Sequence, residues 1–468
     1  MRKKISAGLM SATLVLVAGI VCCGSVAAQT PEESMRSEFE ELKKVVQEQQ
    51  AQIEALTRKL DEIIRQPAAH QPPAGAAEAK KLEPTSGYKD GFFIKSDDGN
   101  MELRLNGWLR TQYRSWSAGQ TRRDDTFAIT NGWTTLTANL YKRHTALLNY
   151  DTVASRLIDA FYNLNLSPAF QVRIGRFKEP TSLEDMTPTS ALECLSGSLL
   201  SNLVPGRDMG LMLHGKFFDG DILGYQAGIF NGDPVTRNND SNSDKDVAAR
   251  LVLRPFGASE NTTFKNMQFG VSFTDGNQDI AIAGNTFADE SSAAFFTWGA
   301  GVRAYGDRSR LGFEFGWPIG PCLFRAEHMA TQQGLRRSLG ATWLDEDVEM
   351  DAWSLQGSWI ITGEQKLMKL LEPAQPIDPT AGCWGCLELV ARYSEIDLDN
   401  DIFTGGYAAA GMWPGDTECT TIGLNWGLAK QVKLSLNYVH SEFEEEITIE
   451  GEPEDDEDAV LFGVQVVY

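Results

Sequence analysis

Hydrophobic residues are too few for a protein that crosses a membrane with helices. They make up 42% of the 468 residues, whereas a helical membrane protein is far more apolar. A membrane barrel is not excluded, because its strands hide their hydrophobicity in alternation with polar residues.

Positive charge is also scarce. Lys and Arg number 42 against 64 Asp and Glu, which gives a formal net charge of -22. An acidic balance argues against nucleic acid or an anionic lipid surface as a partner. We therefore predict no nucleic-acid partner, and acidic residues in long outer loops would keep those loops solvated.

Residues that carry chemistry are few and scattered. The five histidines show no metal-ligand spacing, and no nucleophile elbow is present. The sequence therefore predicts no enzyme, no catalytic residue, no metal site and no cofactor. The histidines are His70, His144, His214, His328 and His440.

Cysteines do not form a dense disulfide scaffold. Of seven, Cys22 and Cys23 lie in the N-terminal leader. An odd number remains: Cys194, Cys322, Cys383, Cys386 and Cys419. The pair Cys383 and Cys386 precedes a predicted strand, whereas a redox pair sits at a helix start. We expect a disulfide within this pair, or one with Cys419 or Cys194.

The first 28 residues are typical of a secretory signal peptide. Arg2, Lys3 and Lys4 precede an apolar run, and Val26 to Ala28 give a small-residue cleavage site before Gln29. A membrane anchor and a lipoprotein signal using Cys22 or Cys23 are the alternatives.

Residues 29–66 are predicted to form a coiled coil, because apolar residues recur at alternating spacings of three and four within Ser34 to Arg65. An amphipathic helix lying on the rest of the chain is the alternative. Residues 67–87 form a Pro/Ala-rich linker that should be extended. The coil predicts oligomerisation. Its seam is Phe39, Leu42, Val46, Ile53, Leu56, Leu60 and Ile63.

Residues 88–468 show apolar and polar residues in alternation, with breaks at Gly, Pro, Asn and Asp. In the first segment, Leu103, Leu105 and Leu109 share one face, while charged and amide residues share the other. Such alternation predicts antiparallel strands, in a soluble sandwich or a membrane barrel. The leader, the repetition and the amphipathic ending Val460 to Tyr468 favour the barrel.

The predicted fold class is therefore all-β, an antiparallel transmembrane β-barrel preceded by a short α-helical coiled coil. About 24 residues for each strand and its connection give 16 strands, although fourteen or eighteen would fit nearly as well. Long outer loops are expected at Glu179 to Leu203, Pro234 to Asp246, Asp275 to Ser292, Gln365 to Gly382 and Glu442 to Asp458.

Several short segments, in one order along the chain, resemble the phosphate-selective porin O and P family of outer-membrane barrels. They are Asp159-Ala160, Arg173 to Lys178, Pro205 to Asp208 with Gly210, Gly228 to Gly232, Ala249 to Leu251, Thr362 to Glu364, Leu387 to Ser394 and Gly423 to Tyr438.

The resemblance implies a porin in the outer membrane, in contact with its lipid, that forms a homotrimer. It would pass small hydrophilic solutes or anions such as phosphate by passive diffusion. Because the coiled coil follows the leader directly, it should lie in the periplasm. Glu179 to Leu203 resembles the family segment that folds into the lumen and narrows it. Tyr468 resembles the C-terminal aromatic residue of the barrel insertion signal.

Alternation also nominates pore-lining arginines. Arginine binds oxyanions in a bidentate manner, so a ladder of them would guide phosphate. Pairing of these arginines with Glu102, Asp159, Glu314, Glu327 or Glu388 is the alternative. The predicted pore-lining residues are Arg104, Arg110, Arg114, Arg173, Arg250, Arg325 and Arg392.

Two departures from the family leave phosphate specificity open. The second predicted strand, Phe127 to Thr135, has no arginine, and Ser196 to Ser198 replaces a segment that often contains Glu-Arg. A general porin is therefore an alternative to a phosphate-selective one. A structural outer-membrane anchor, with the coiled coil as a periplasmic spacer, is an alternative of another class.

Overall fold

The computed structural model describes residues 85–117, 123–233, 242–449 and 451–468. The predicted signal peptide and coiled coil, and all but the last residues of the predicted linker, lie outside these ranges. Among the described residues, no helix is both long enough and apolar enough to cross a membrane.

Antiparallel strands dominate the described residues. Two short strands form an N-terminal hairpin beside the barrel, β1 (Thr85–Tyr88) and β2 (Phe92–Lys95). The barrel strands of the first half are β3 (Met101–Ser117), β4 (Thr126–Leu140), β5 (His144–Asp151), β6 (Arg156–Ser167), β7 (Phe170–Lys178), β8 (Arg207–Phe217), β9 (Leu223–Phe230) and β10 (Asp246–Leu253).

The second half begins with β11 and contains a small hairpin outside the barrel sheet, β12 (Thr286–Ala288) and β13 (Ala294–Thr297). Its barrel strands are β11 (Gln268–Ala281), β14 (Val302–Ile319), β15 (Cys322–Ser338), β16 (Trp343–Ile360), β17 (Cys386–Leu398), β18 (Thr417–Ala429), β19 (Val432–Ile449) and β20 (Glu452–Val467).

Sixteen strands close into a barrel because β20 pairs with β3. In that register Phe462 lies opposite Tyr113 and Gln465 lies opposite Arg110. Each barrel strand pairs antiparallel with its neighbours, so closure leaves no open edge among the sixteen barrel strands. The predicted all-β barrel of 16 strands is confirmed, including the pairing of the last strand with the first.

The barrel turns its apolar residues outward. Leu103, Leu105 and Leu109 on β3 are 40–44% exposed. Arg110 and Gln112, on the opposite face of the same strand, are buried. In water this arrangement would be unfavourable, but it suits a sheet whose outer face meets lipid and whose inner face is polar.

Two of the outer-loop predictions are wrong. The 365–382 segment connects β16 to β17 and lies at the barrel end that carries Tyr468, together with two-residue turns such as 168–169 and 320–321. The Glu442 to Asp458 segment is mostly strand, since β19 and β20 form a long hairpin. Acidic strands that extend beyond the apolar band look like loops in sequence, because they need no apolar face.

Two connections at the opposite end fold into the barrel. Inner loop 1, residues 179–206, contains helix α1 (Leu183–Met186) and two 3₁₀ turns, Thr189–Ala191 and Leu199–Asn202. Inner loop 2, residues 282–301, carries the β12–β13 hairpin. Leu199, Phe296 and Ile396 belong to one buried apolar cluster, so both loops pack against the wall. Helix α2 (Asn400–Thr404) lies in the β17–β18 connection.

All five cysteines in the described residues are unpaired. The expected disulfide of Cys383 or Cys386 is therefore wrong. Cys419 is instead buried against Ser441 Oγ, 3.2 Å from its sulfur. Burial raises the pKa of Cys194, in inner loop 1, to about 12, which keeps this thiol protonated.

Candidate functional site

Inner loop 1 leaves the wall after β7, and its first part is anchored on β15 by the carboxylate of Glu327. Glu327 accepts hydrogen bonds from Ser182 Oγ at 2.7 Å and from the backbone N–H groups of Leu183 and Glu184, both at 2.8 Å. The Ser182 hydroxyl also caps α1 by accepting from the Asp185 N–H. The start of α1 is thus fixed to the wall.

The far part of the loop reaches the last two strands. Asn437 Oδ1 accepts from the Leu195 N–H at 2.8 Å. Gln465 Nε2 donates to the Ser190 carbonyl at 2.9 Å. Because Gln465 lies opposite Arg110 in the register, the loop ends its crossing next to β3. It therefore narrows the barrel, as the resemblance implies.

Glu193, in the middle of inner loop 1, collects two cations. Its carboxylate lies 3.1 Å from Arg325 and 2.8 Å from Lys366, and it accepts from Gln356 at 2.8 Å. Burial alone would raise the pKa of Glu193, but Arg325 and Lys366 hold it well below its usual range. Lys366 also pairs with Glu388 at 2.6 Å.

Arg392 joins both inner loops to β17. Its guanidinium lies 3.1 Å from Glu184 in inner loop 1 and 2.7 Å from Glu290 in inner loop 2. It also donates to the carbonyls of Ser196 and Gly197 at 3.0 and 3.1 Å. The guanidinium of Arg392 is thus engaged by two carboxylates and two carbonyls, so its charge serves the packing of the loops.

Two further predicted arginines are also ion-paired. Arg250 makes a two-pronged contact with Glu314, at 2.6 and 2.9 Å, and donates to Gln226 at 2.9 Å. Arg104 pairs with Glu102 at 2.9 Å. Arg104, Arg250, Arg325 and Arg392 are therefore neutralised by acidic neighbours.

The remaining three predicted arginines have neutral partners. Arg110 donates to Thr130 Oγ1 at 3.1 Å and lies over the Trp108 ring at 5.1 Å. Arg114 donates to Gln112 at 2.9 Å. Arg173 lies 4.4 Å from the centre of the Phe161 ring. Within the residues that the structure describes, none of the three has a carboxylate at salt-bridge distance.

These three arginines frame the part of the wall that inner loop 1 leaves free. They lie on β3 and β7, and the described hydrogen bonds include none from the loop to β4, β5 or β6. The passage beside the loop is thus bounded by β3–β7.

Sequence reasoning missed Arg207 here, which pairs with Asp159 at 2.8 Å and lies 5.4 Å from the centre of the Trp133 ring. Its only sequence signal was the Pro205 to Asp208 segment.

The predicted acidic partners are all engaged, but only some with predicted arginines. Glu102 and Glu314 bind Arg104 and Arg250, whereas Asp159 and Glu388 bind cations that the prediction did not include. Lys366 lies in a connection rather than on a strand, so alternation could not nominate it. The barrel wall thus contains both ion-paired arginines and arginines without a carboxylate at salt-bridge distance, and the two kinds lie on different parts of the wall.

Comparisons with known proteins identify a family and a relative of similar sequence. A family model described as phosphate-selective porin O and P matches residues 135–468. Porin O of Pseudomonas aeruginosa is 22% identical over 418 residues, covering 81% of this chain and 91% of that protein.

A solved structure has a similar barrel fold. In-vitro folded OmpT, an outer membrane protein of Vibrio cholerae, superposes with a TM-score of 0.50 at 11% identity, covering 80% of this chain and 99% of that one. The outer membrane channel DcaP of Acinetobacter baumannii gives a TM-score of 0.48 at 12% identity, covering 80% and 99%. The family match spans most of the chain, and we conclude that this protein belongs to the phosphate-selective porin O and P family.

Proposed function

We propose that this porin lies in the outer membrane and lets small hydrophilic solutes diffuse passively, with a preference for anions such as phosphate. The observation that carries the proposal is the charge imbalance beside inner loop 1. Arg110, Arg114 and Arg173 have neutral partners, while the cations that anchor the loop are balanced by carboxylates.

Electrostatics explains why three charges matter in so acidic a chain. A narrow aqueous passage with low-dielectric walls focuses the field of the charges that line it. Balanced pairs contribute little, so the unbalanced arginines decide the sign. Many of the acidic residues are exposed at the barrel rim opposite the end that carries Tyr468, where salt screens their charge. Rim residues include Asp345, Glu346, Asp347, Glu444, Glu445 and Glu446.

Reversal potentials of the purified protein in planar bilayers, across a KCl gradient, test the proposal. We expect anion selectivity, and a several-fold shift toward cations when Arg110, Arg114 and Arg173 are replaced together by Gln. Arg303→Gln is the matched control. Arg303 lies on the outer face of β14 beside Asp279, at 2.6 Å, so this change should leave selectivity unaltered. Cation selectivity of the unmodified protein would contradict the proposal.

Phosphate is tested separately in the same bilayers. If arginine forks bind phosphate oxygens in the passage, added phosphate should reduce the chloride current, and the triple variant should lose this block. Chloride selectivity without phosphate block would leave a general anion porin.

A structural anchor is the second candidate function. The observation that favours it is the apolar cluster that both inner loops build inside the barrel. Absence of any conductance would support this alternative. The homotrimer is also a proposal, and chemical cross-linking of the full chain in detergent tests it.

A further inference from the structure

A second polar surface lies between the passage and the barrel end that carries Tyr468. A cavity of about 330 Å³ opens there between inner loop 1 and the inner faces of β7–β11. Ligand sites of such size combine apolar walls with a few convergent polar groups. We propose that this cavity binds small organic anions that carry a carboxylate on an apolar body. The inference rests on the proposed anion preference and names its substrate class.

The charge of the cavity favours an anion. Lys216, Arg250 and Arg254 line it, and its described lining contains no Asp or Glu. Arg250 is balanced by Glu314, and Lys216 is half exposed and bonded to Asp221. Among the described residues, Arg254 has no carboxylate at salt-bridge distance, and its Nε and one terminal nitrogen donate to Gln268 Oε1 at 3.1 and 2.8 Å. Arg254 is therefore the group that would take the carboxylate.

The opposite side of the cavity is apolar. Leu183, Met186 and Pro188 of inner loop 1 line it, together with Met368 from the β16–β17 connection. Burial of apolar surface against these side chains would add to the affinity of an anion that carries a hydrocarbon body. An inorganic anion could not make this contact, so the cavity would select among anions by their hydrocarbon part as well as by their charge.

Gly224 provides the space. It lies between Lys216 on β8 and Val252 on β10 in the strand register. A Cβ atom added at Gly224 would meet nothing nearer than Val252 Cβ, at 3.8 Å. The backbone there needs no left-handed conformation, so a larger side chain would fill the cavity without straining β9.

The cavity lies close to Arg173. Asn163 Oδ1 lies 3.4 Å from Arg173 Nε and 2.7 Å from His214 Nε2. His214 in turn lines the cavity. One shared amide oxygen therefore links Arg173 to the cavity wall.

Calorimetry on the full-length protein in detergent tests binding without relying on conduction. Hexanoate has both a carboxylate and a hydrocarbon chain. Acetate has the carboxylate without the longer chain, and hexanol has the chain without the carboxylate. We expect hexanoate to bind at least about tenfold more tightly than acetate or hexanol, a difference of about 1.4 kcal/mol. Equal binding of acetate and hexanoate would overturn the proposal.

Variants test whether hexanoate binds in this cavity. Arg254→Gln and Gly224→Leu should each weaken hexanoate binding about tenfold, while Arg303→Gln, on the outer face, should leave it unchanged. Unaltered binding in Gly224→Leu would overturn the proposal even if Arg254→Gln misfolded. The reversal potential keeps the two proposals apart. An anion-selective pore without hexanoate binding defeats only this inference, whereas cation selectivity defeats the proposed function.

Discussion

The guanidinium of Arg392 lies 2.7 Å from the carboxylate of Glu290, and this ion pair joins the barrel wall to inner loop 2. The same guanidinium contacts Glu184 of inner loop 1. All three side chains are withdrawn from water, and Arg392 is 4% exposed. One arginine therefore holds both loops that shape the passage.

Replacement of Arg392 by Gln should release these loops. It leaves the Glu184 and Glu290 carboxylates buried without a cation, a loss expected to cost about 3–5 kcal/mol of unfolding free energy. Thermal unfolding of the purified barrel measures the loss, and single-channel recordings should become noisier as the loops move. The double variant Arg392→Gln with Glu290→Gln should recover part of the stability. Unchanged stability and noise in the single variant would show that Arg392 does not hold the loops.

Glu179 gives the barrel a pH-dependent weakness where inner loop 1 begins. Its side chain is fully buried, and in the described structure neither carboxylate oxygen has a hydrogen-bond partner. Burial raises its pKa to about 8. The unfolded chain ionises near the ordinary value of about 4.3, so the free energy of unfolding should fall as pH rises from there to about 8.

Glu179→Gln should therefore be more stable than the unmodified protein at about pH 9 and nearly equal to it at about pH 4. Melting temperatures at both pH values provide the measurement. Glu260→Gln, at an exposed position in the β10–β11 turn, should change neither. A gain in stability of Glu179→Gln that is the same at both pH values would argue against an ionisation effect.

Gly107 makes room for the C-terminal aromatic ring where the barrel closes. Gly107 and Tyr468 exchange two backbone hydrogen bonds, at 2.7 and 2.9 Å. A Cβ atom at position 107 would lie 2.4 Å from Tyr468 Cζ. Gly107→Val should therefore lower the fraction of refolded barrel, and an added Tyr468→Ala should restore it.

The folded fraction is measured by its altered mobility on an unheated gel. Gly357→Val is the control, because a Cβ atom there meets nothing nearer than Phe324 at 3.9 Å. If Tyr468→Ala does not rescue Gly107→Val, the clash is not with the ring.

The cysteines should behave as free thiols of unequal accessibility. Cys322 and Cys383 are partly exposed, whereas Cys194, Cys386 and Cys419 are buried. A maleimide should modify at most the first two in the folded protein and all five of these cysteines after unfolding without reductant, as located on peptides by mass spectrometry. An unmodified cysteine among these five after unfolding would reveal a disulfide.

Much of the architecture follows from the sequence, because strand alternation is a local property. A period of two along β3 separates Leu103 and Leu105 from Arg104 whatever lies elsewhere in the chain, and repetition of that pattern up to Tyr468 predicts a barrel. Chain length alone favoured 16 strands, with fourteen or eighteen fitting nearly as well. Register and loop placement are not local. The alternation of β17 puts Arg392 on the inner face, but it says nothing about Glu184 or Glu290, which reach it from two distant connections.

The amino-acid sequence by itself determined a barrel with an apolar outer face and a polar inner one, because side-chain chemistry and backbone pleat decide which face each residue takes. Only the tertiary structure decided which arginines are paired with a carboxylate. Inner loop 1 crosses to β14–β20 and brings Glu193 and Glu184 to Arg325 and Arg392. Arg110 and Arg173 lie on β3 and β7, and among the described residues neither has a carboxylate at salt-bridge distance.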